Sequence, residues 1–391
     1  MTSQLNATDQ AYLRRALELA EGGRGRVSPN PLVGAVIVRD GETIGEGYHA
    51  ELGDLHAERA ALADCERRGE DPAGATIYVT LEPCAHQGRQ PPCVDAILAA
   101  RIGRVVIGSE DPSEKASGRG PGMLRDGGVQ VSFAAGPEAA AARLLNQPFR
   151  KHARTGLPFV LLKLAISLDG QTTTAAGDSP WISGELSRAL VHGWRGEVDA
   201  IAVGSGTALA DDPLLTARFA EARQPVRVVF DSHARLPLDS QLITTLDQSP
   251  VILVGSPEAD PGRVQALRDA GAEVLFATGD SAADRVDSAL GELGRRGITS
   301  LFLEGGTTLA AAFAAADQLD EARIFVAPVL LGGAGSDPGA AAGDARGAAE
   351  ARTPSAGGAA AVAGPARRTA LDTRAEPVGE DTLITARLKE W

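Results

Sequence analysis

A strand-and-helix rhythm that runs through this sequence twice limits its fold more than any other feature. Short runs rich in valine and isoleucine alternate with stretches of helical spacing. In the first half they are LVGAVIV at 32–38, TIGEGY at 43–48, ATIYVTL at 75–81 and RVVIGS at 104–109. RDGE, between the first two, carries the Asp-Gly signal of a hairpin turn. Helices are predicted from about His56 and over 93–101. A hairpin followed by βαβ units makes an α/β layered sheet. A polar stretch, LLNQPFRKHARTGLP at 144–158, interrupts the rhythm, which then restarts. FVLLKLAIS at 159–167, VDAIAVGS at 198–205, VRVVFDS at 226–232, VILVGS at 251–256 and SLFLEGG at 300–306 read as a second set of strands. The expectation is two α/β domains, 1–147 and 159–391, with a linker at 148–158. A chain of 391 residues is long enough for two cores.

Composition narrows the partners. From 332 to 368 the chain is rich in Ala and Gly with almost no large apolar residue, so a flexible insert is expected there. EDTLITARL at 380–388 then reads as a last strand. A net charge of −13 argues against a nucleic-acid partner, yet leaves room for a small phosphorylated substrate held by a few local cations. No apolar run is long enough to span a membrane. Near the start, Tyr12, Leu13, Ala16, Leu17 and Ala20 form a helix stripe behind a Thr8/Asp9 cap, and no signal-peptide core is present. Three cysteines make no disulfide framework, which points to a reducing cytoplasm.

Two of those cysteines follow a His-x-Glu. His56, Cys84 and Cys93 supply one nitrogen and two sulfurs, a donor set that suits zinc and leaves a fourth position for water. Bound zinc lowers the pKa of such a water toward neutrality, and Glu58 is placed to carry protons. Residues two apart on a helix differ by about 200° in direction. His56 and Glu58 therefore share a site only off the helix end, whose positive pole favours thiolate. Zinc nucleobase deaminases carry H-x-E followed by P-C-x-x-C. Here the second cysteine comes nine positions after the first, across the loop AHQGRQPP, and that departs from a generic cytidine or tRNA deaminase. Cys65 is read as an inert core thiol, and Asn30, between two prolines, fits a turn as well as a ligand contact.

SPNPLVGAVIV, GYHAELGDLHAE and TLEPCAHQGRQPPC resemble the deaminase domain of the bifunctional riboflavin-biosynthesis family, and EDPSEKASGRG at 110–120 continues the likeness. The resemblance implies a cytidine-deaminase-like three-layer domain with zinc ligands His56, Cys84 and Cys93. It also implies Glu58 as proton shuttle and Asn30 near the base. Gln90 stands where the family more often has threonine.

In the second half the residues alone say less. FLEGGTTLAAAF at 302–313 is a strand, a glycine turn and a helix start. Such a junction binds phosphate or is simply structural. However, LKLAISLDGQ, GDSPWIS, VGSGTALADDPLLTAR, DSHARLP and LEGGTTLAAAF are similar, in order, to the reductase domain of the same family. That implies a dihydrofolate-reductase-like fold and NADPH reduction of a ribose to a ribityl chain. By position, Ala165, Trp181, Thr207, Asp211, Ser232 and the run Gly306, Thr307, Thr308, Leu309, Ala310, Ala311 and Ala312 fall on the cofactor side. Lys163, Ser179, Arg195, Leu215, Arg218 and Glu304 fall on the substrate side. Arg195 and Arg218 are suitable charges for a 5′-phosphate. No motif distinguishes NADPH from NADH. The family likeness also implies a homodimer through the reductase domain. Two competing readings remain, a nucleic-acid base editor and a decayed nucleotide-binding protein. Charge and the long cysteine loop oppose the first, and the complete zinc set opposes the second.

Overall fold

The computed structural model describes residues 5–88, 90–114, 116, 118–172, 181–219, 222–332 and 369–391. The first half runs α1 (Ala7–Ala20), β1 (Gly34–Arg39), β2 (Glu42–Tyr48), α2 (Ala57–Arg68), β3 (Thr76–Leu81), α3 (Cys93–Ala99), β4 (Arg104–Ser109), α4 (Arg119–Asp126), β5 (Gln130–Phe133) and α5 (Pro137–Leu145). Its sheet has the order β2-β1-β3-β4-β5. β1 is antiparallel to both neighbours, and β3, β4 and β5 are parallel. Alternation along β1 builds both cores. Ala35 and Ile37 pack with Ala57, Ala61 and Cys65 of α2, while Val36 and Val38 pack with Leu13 and Ala16 of α1. Three layers result.

Glycines in β2 set how closely α2 lies on the sheet. A Cβ on Gly47 would stand 2.3 Å from the Ala61 nitrogen, and one on Gly45 would stand 2.4 Å from Cys65 Sγ. Cys65 is fully buried, and burial pushes its thiol up to about 11, as an inert core role requires. The helix cap at the N-terminus differs from expectation. α1 starts two residues earlier than a Thr8/Asp9 cap allows, with Asn6 Oδ1 accepting from the Asp9 nitrogen at 2.8 Å. Asp9 is instead buried and holds Arg104 in a two-pronged pair at 2.8 and 3.0 Å.

The stretch expected as a linker is a helix, α6 (Gln147–Thr155). Proline sits in its first turn, where a missing N–H costs nothing, and Gly156 closes it in the left-handed region. Two of its cations are buried. The side chains of Arg150 and Lys151 are each 1% exposed. Arg150 donates to the Trp391 carbonyl and to Glu110, and Lys151 Nζ lies 2.7 Å from Asp320 Oδ2. α6 thus bolts the first half, the second sheet and the C-terminus together.

The second half contains β6 (Phe159–Ser167), α7 (Glu185–Glu197), β7 (Ala200–Gly204), α8 (Ser205–Asp211), β8 (Val226–Phe230), α9 (Gln241–Thr244), β9 (Val251–Gly255), α10 (Pro261–Asp269), β10 (Glu273–Phe276), α11 (Ala282–Arg295), β11 (Ser300–Glu304), α12 (Thr307–Ala315), β12 (Glu321–Ala327), β13 (Asp372–Val378) and β14 (Asp381–Arg387). The sheet order is β10-β9-β8-β7-β11-β6-β12-β14-β13. It is parallel from β10 to β12 and antiparallel from β12 to β13. The Ala/Gly-rich segment lies outside the described residues but for its first residue, Gly332. The final strand stands as expected. β13 beside it was not foreseen, and it tolerates Pro377 because it is an edge.

Candidate active sites

In the first half, two helix starts and one strand end converge. His56 is the N-cap of α2, Cys93 is the first residue of α3 behind Pro92, and Cys84 follows β3. Their donor atoms lie within 4.8 Å of one another. His56 Nδ1 is 3.5 Å from Cys84 Sγ and 3.4 Å from Cys93 Sγ. Tetrahedral zinc, with bonds of about 2.0–2.1 Å to nitrogen and 2.3 Å to sulfur, separates those atoms by about 3.6 Å. The residues fit the ion. The Cys93 amide also donates to Cys84 Sγ at 3.3 Å. The Cys93 side chain, then His56, draws the Cys84 thiol down to about 4, whereas Cys84 and burial hold the Cys93 thiol up.

Glu58 is 3% exposed beneath this cluster. Burial, then the neighbouring Cys84, raises its carboxyl above the usual range, which suits a group that must hold and release a proton. Above the cluster lies a cavity of about 250 Å³ lined by Asn30, Leu52, Asp54, His56, Cys84, His86 and Gln90, among others. Gln90 Nε2 donates to the Gly53 carbonyl at 3.2 Å, so the long cysteine loop closes over this cavity.

His49 was missed in the sequence. It is 3% exposed, and burial lowers its pKa, which keeps the ring neutral. Nδ1 donates to the Leu55 carbonyl at 3.1 Å, and Nε2 accepts from Asn30 Nδ2 at 3.0 Å. The ring therefore fixes Asn30 with its carbonyl oxygen turned away from His49. Glu82 was also missed. It is buried, and burial pushes its carboxyl up to about 7 against the opposing pull of the Asp111, Gly118 and Gly120 backbone amides.

In the second half, a cavity of about 330 Å³ opens at the carboxyl ends of β7, β8 and β9. Ligands bind parallel α/β sheets at such strand ends. Of the residues expected on the cofactor side, Thr207, Ser232, Gly306, Thr308, Leu309 and Ala312 line it. Gly306 caps α12 without a side-chain bond, so the first-turn amides remain open to a phosphate. That fits a pyrophosphate-bearing cofactor. Thr307, Ala310 and Ala311 lie on α12 but not among the lining residues. Ala165 is on β6, Asp211 ends α8 in solvent, and Trp181 is 61% exposed with Arg188 against its ring at 5.4 Å.

The substrate-side residues divide. Lys163 of β6 pairs in register with Glu304 of β11, and burial lowers its pKa although Glu304 opposes this. Arg195 is already engaged. Its Nε and Nη2 meet Glu304 at 2.7 and 2.9 Å, each side chain being 12% exposed. Its charge is therefore matched by a carboxylate, while Arg218 stays exposed. Leu215 is buried at φ 55°, and Ser179 lies outside the described residues. Arg285, which also lines the cavity, carried no local sequence signal.

Comparison with known proteins places both halves in one family. A profile described as the cytidine and deoxycytidylate deaminase zinc-binding region matches residues 6–109, and one described as the RibD C-terminal domain matches 158–342. The riboflavin biosynthesis protein RibD of Actinobacillus pleuropneumoniae is 42% identical over 326 residues, 83% of this chain and 85% of that protein. RibD of Escherichia coli K12 is 40% identical over 338 residues, 83% of this chain and 89% of that protein. A Thermotoga maritima crystal structure of a diaminohydroxyphosphoribosylaminopyrimidine deaminase/5-amino-6-(5-phosphoribosylamino)uracil reductase aligns with TM-score 0.78 at 34% identity. The match covers 98% of this chain and 99% of that one. Acinetobacter baumannii RibD aligns with TM-score 0.79 at 34% identity and the same coverage. The chain thus belongs to the RibD family, the bifunctional zinc-dependent deaminases and NADPH-dependent reductases of riboflavin biosynthesis.

Proposed function

We propose that residues 1–147 deaminate a diaminohydroxyphosphoribosylaminopyrimidine, and that residues from 159 onward reduce the resulting 5-amino-6-(5-phosphoribosylamino)uracil to its ribityl form. The observation that carries the reading is the His56, Cys84 and Cys93 cluster above a buried Glu58, on one chain with an open α12 N-terminus. His56, Cys84 and Cys93 would hold zinc, which would supply a water acidic enough to attack at neutral pH. Glu58 accepts the proton of that water and returns it to the departing amine, which leaves as ammonia. Asn30, steadied by His49, meets the edge of the base.

In the reductase half, the first-turn amides of α12 would hold the pyrophosphate of NADPH, which would supply the hydride. Thr207 and Ser232, which line the same cavity, would contact its adenosine side. Lys163, Arg195 and Glu304, which lie together, would line the substrate side, where the ribosyl carbon would take the hydride. Arg218, the exposed cation, would meet the 5′-phosphate. We further infer a homodimer through this half, where Leu186, Leu330 and Leu371 leave 60, 75 and 60% of their surface uncovered. A cytoplasmic setting fits three free thiols.

The test follows the two half-reactions separately. Purified protein is incubated with the pyrimidine 5′-phosphate, with and without NADPH. Ammonia appears in both, and near-ultraviolet absorbance of NADPH falls only when the deaminated product forms. Ammonia release absent from the zinc-loaded protein overturns the first assignment. NADPH left unconsumed with authentic uracil substrate overturns the second. Light scattering decides the dimer.

A further inference from the structure

The cavity at the ends of β7, β8 and β9 has a charge pattern that the family resemblance does not explain. Among its described lining residues Arg285 is the one cation, and none is acidic. Arg285 lies in the first turns of α11, which follows the edge strand β10. It makes one hydrogen bond, from Nη1 to the Gly279 carbonyl at 3.2 Å, and pairs with no carboxylate among the described residues. A guanidinium has five N–H donors, so most of its fork is uncommitted. The other nearby arginine, Arg235, is occupied by Asp231 and by Ser205 Oγ at 2.7 Å. Glu258, at the surface, feels both Arg285 and His233 but does not line the cavity.

Position along the sheet says which part of a dinucleotide Arg285 would meet. This step rests on the reading that NADPH occupies the cavity. The hydride end belongs near Lys163 and Glu304 on β6 and β11, and the pyrophosphate at α12, which follows β11. Moving away from them, the sheet continues through β7, β8 and β9 to β10. Adenosine therefore extends past Ser232 and Gly255 toward Ala277 and Arg285, all of which line the cavity. NADPH differs from NADH only by a 2′-phosphate on that adenosine, with about two negative charges. Sites that prefer NADH place an acid against the ribose 2′-hydroxyl, whereas an arginine accommodates the 2′-phosphate. This cavity lacks the acid and has the arginine.

We infer that Arg285 is the residue that selects NADPH over NADH, by bonding the 2′-phosphate at the β9–β10 edge of the cavity. The test is calorimetric titration with 2′,5′-ADP and with ADP, which need no turnover. Wild-type protein should bind 2′,5′-ADP, and Arg285→Gln should weaken it by about 10- to 100-fold while ADP affinity stays constant. Arg285→Lys, which keeps the charge but loses the fork, should fall between. Thermal melting confirms that each variant is folded. Unchanged 2′,5′-ADP affinity in folded Arg285→Gln overturns the inference alone, and so does an equal loss for both nucleotides. Failure of wild-type protein to bind either nucleotide overturns the dinucleotide reading itself.

Discussion

Replacing Lys151 with methionine tests how the two halves are joined. Lys151 and Asp320 have side chains 1% and 0% exposed, 2.7 Å apart, so their charges meet almost without water. Methionine keeps the aliphatic stem and removes the charge. The Asp320 carboxylate then keeps only the Val160 amide at 2.7 Å and Trp391 Nε1 at 2.9 Å. Removing one partner of a buried pair costs about 3–5 kcal/mol. Two surviving bonds place this case near the lower end, about 3 kcal/mol, a large part of a total stability of about 5–15 kcal/mol. Burial lowers the Lys151 pKa even though Asp320 opposes it, so the pair is costly to desolvate. Lys151→Met with Asp320→Asn should therefore cost less than the two single changes summed, by about 1–3 kcal/mol. Urea unfolding followed by circular dichroism and by tryptophan fluorescence measures both. A loss under about 1 kcal/mol in the single variant, or strict additivity in the double, refutes the view of α6 as a bolt.

Four further outcomes are expected. Glu58→Gln should keep one zinc per chain by metal analysis but lose at least about 100-fold in ammonia release, since a positioned proton carrier contributes about that much. Arg218→Ala should raise KM for the uracil substrate about tenfold with kcat nearly constant, as loss of one phosphate contact would. Gly47→Val should lower deaminase activity and stability together, because even its Cβ would meet the Ala61 nitrogen at 2.3 Å and push α2, with His56 and Glu58, off the sheet. Arg104 holds the Asp9 carboxyl below its ordinary range. That pair's stability is therefore full above about pH 4 and is lost as pH falls through the depressed value. Asp9→Asn should cost about 2 kcal/mol at pH 7 and flatten the acid limb of the unfolding curve.

Most of the parallel interior strands were legible because burial on both faces demands continuous apolar runs, and β4, β6 and β8 begin where those runs begin. β12 was not legible although it is interior, because EARIFVA carries Glu321 and Arg323 and is only partly buried; β5, β10 and β13 were not legible either. The last three are sheet edges with less to bury, so their residues carry no such run. α6 was misread for the opposite reason. Its lysine and arginine looked like a solvated linker, and only Asp320, Glu110 and the C-terminal carbonyl, far away in the chain, turn them inward.

The candidate zinc donors and Glu58 were legible in the sequence, because metal chemistry restricts which residue types serve and each stands in a short motif at a helix start or strand end; the structure brings the three donor atoms within 4.8 Å of one another. The reductase residues needed the family likeness, since a helix N-terminus binds phosphate through backbone amides that no side chain marks. Tertiary structure alone decided the rest. It set His49 behind Asn30, matched Arg195 with Glu304, and brought Arg285 to a cavity whose other walls come from distant strands. Such pairings depend on which strand ends become neighbours, and local spacing holds no record of that.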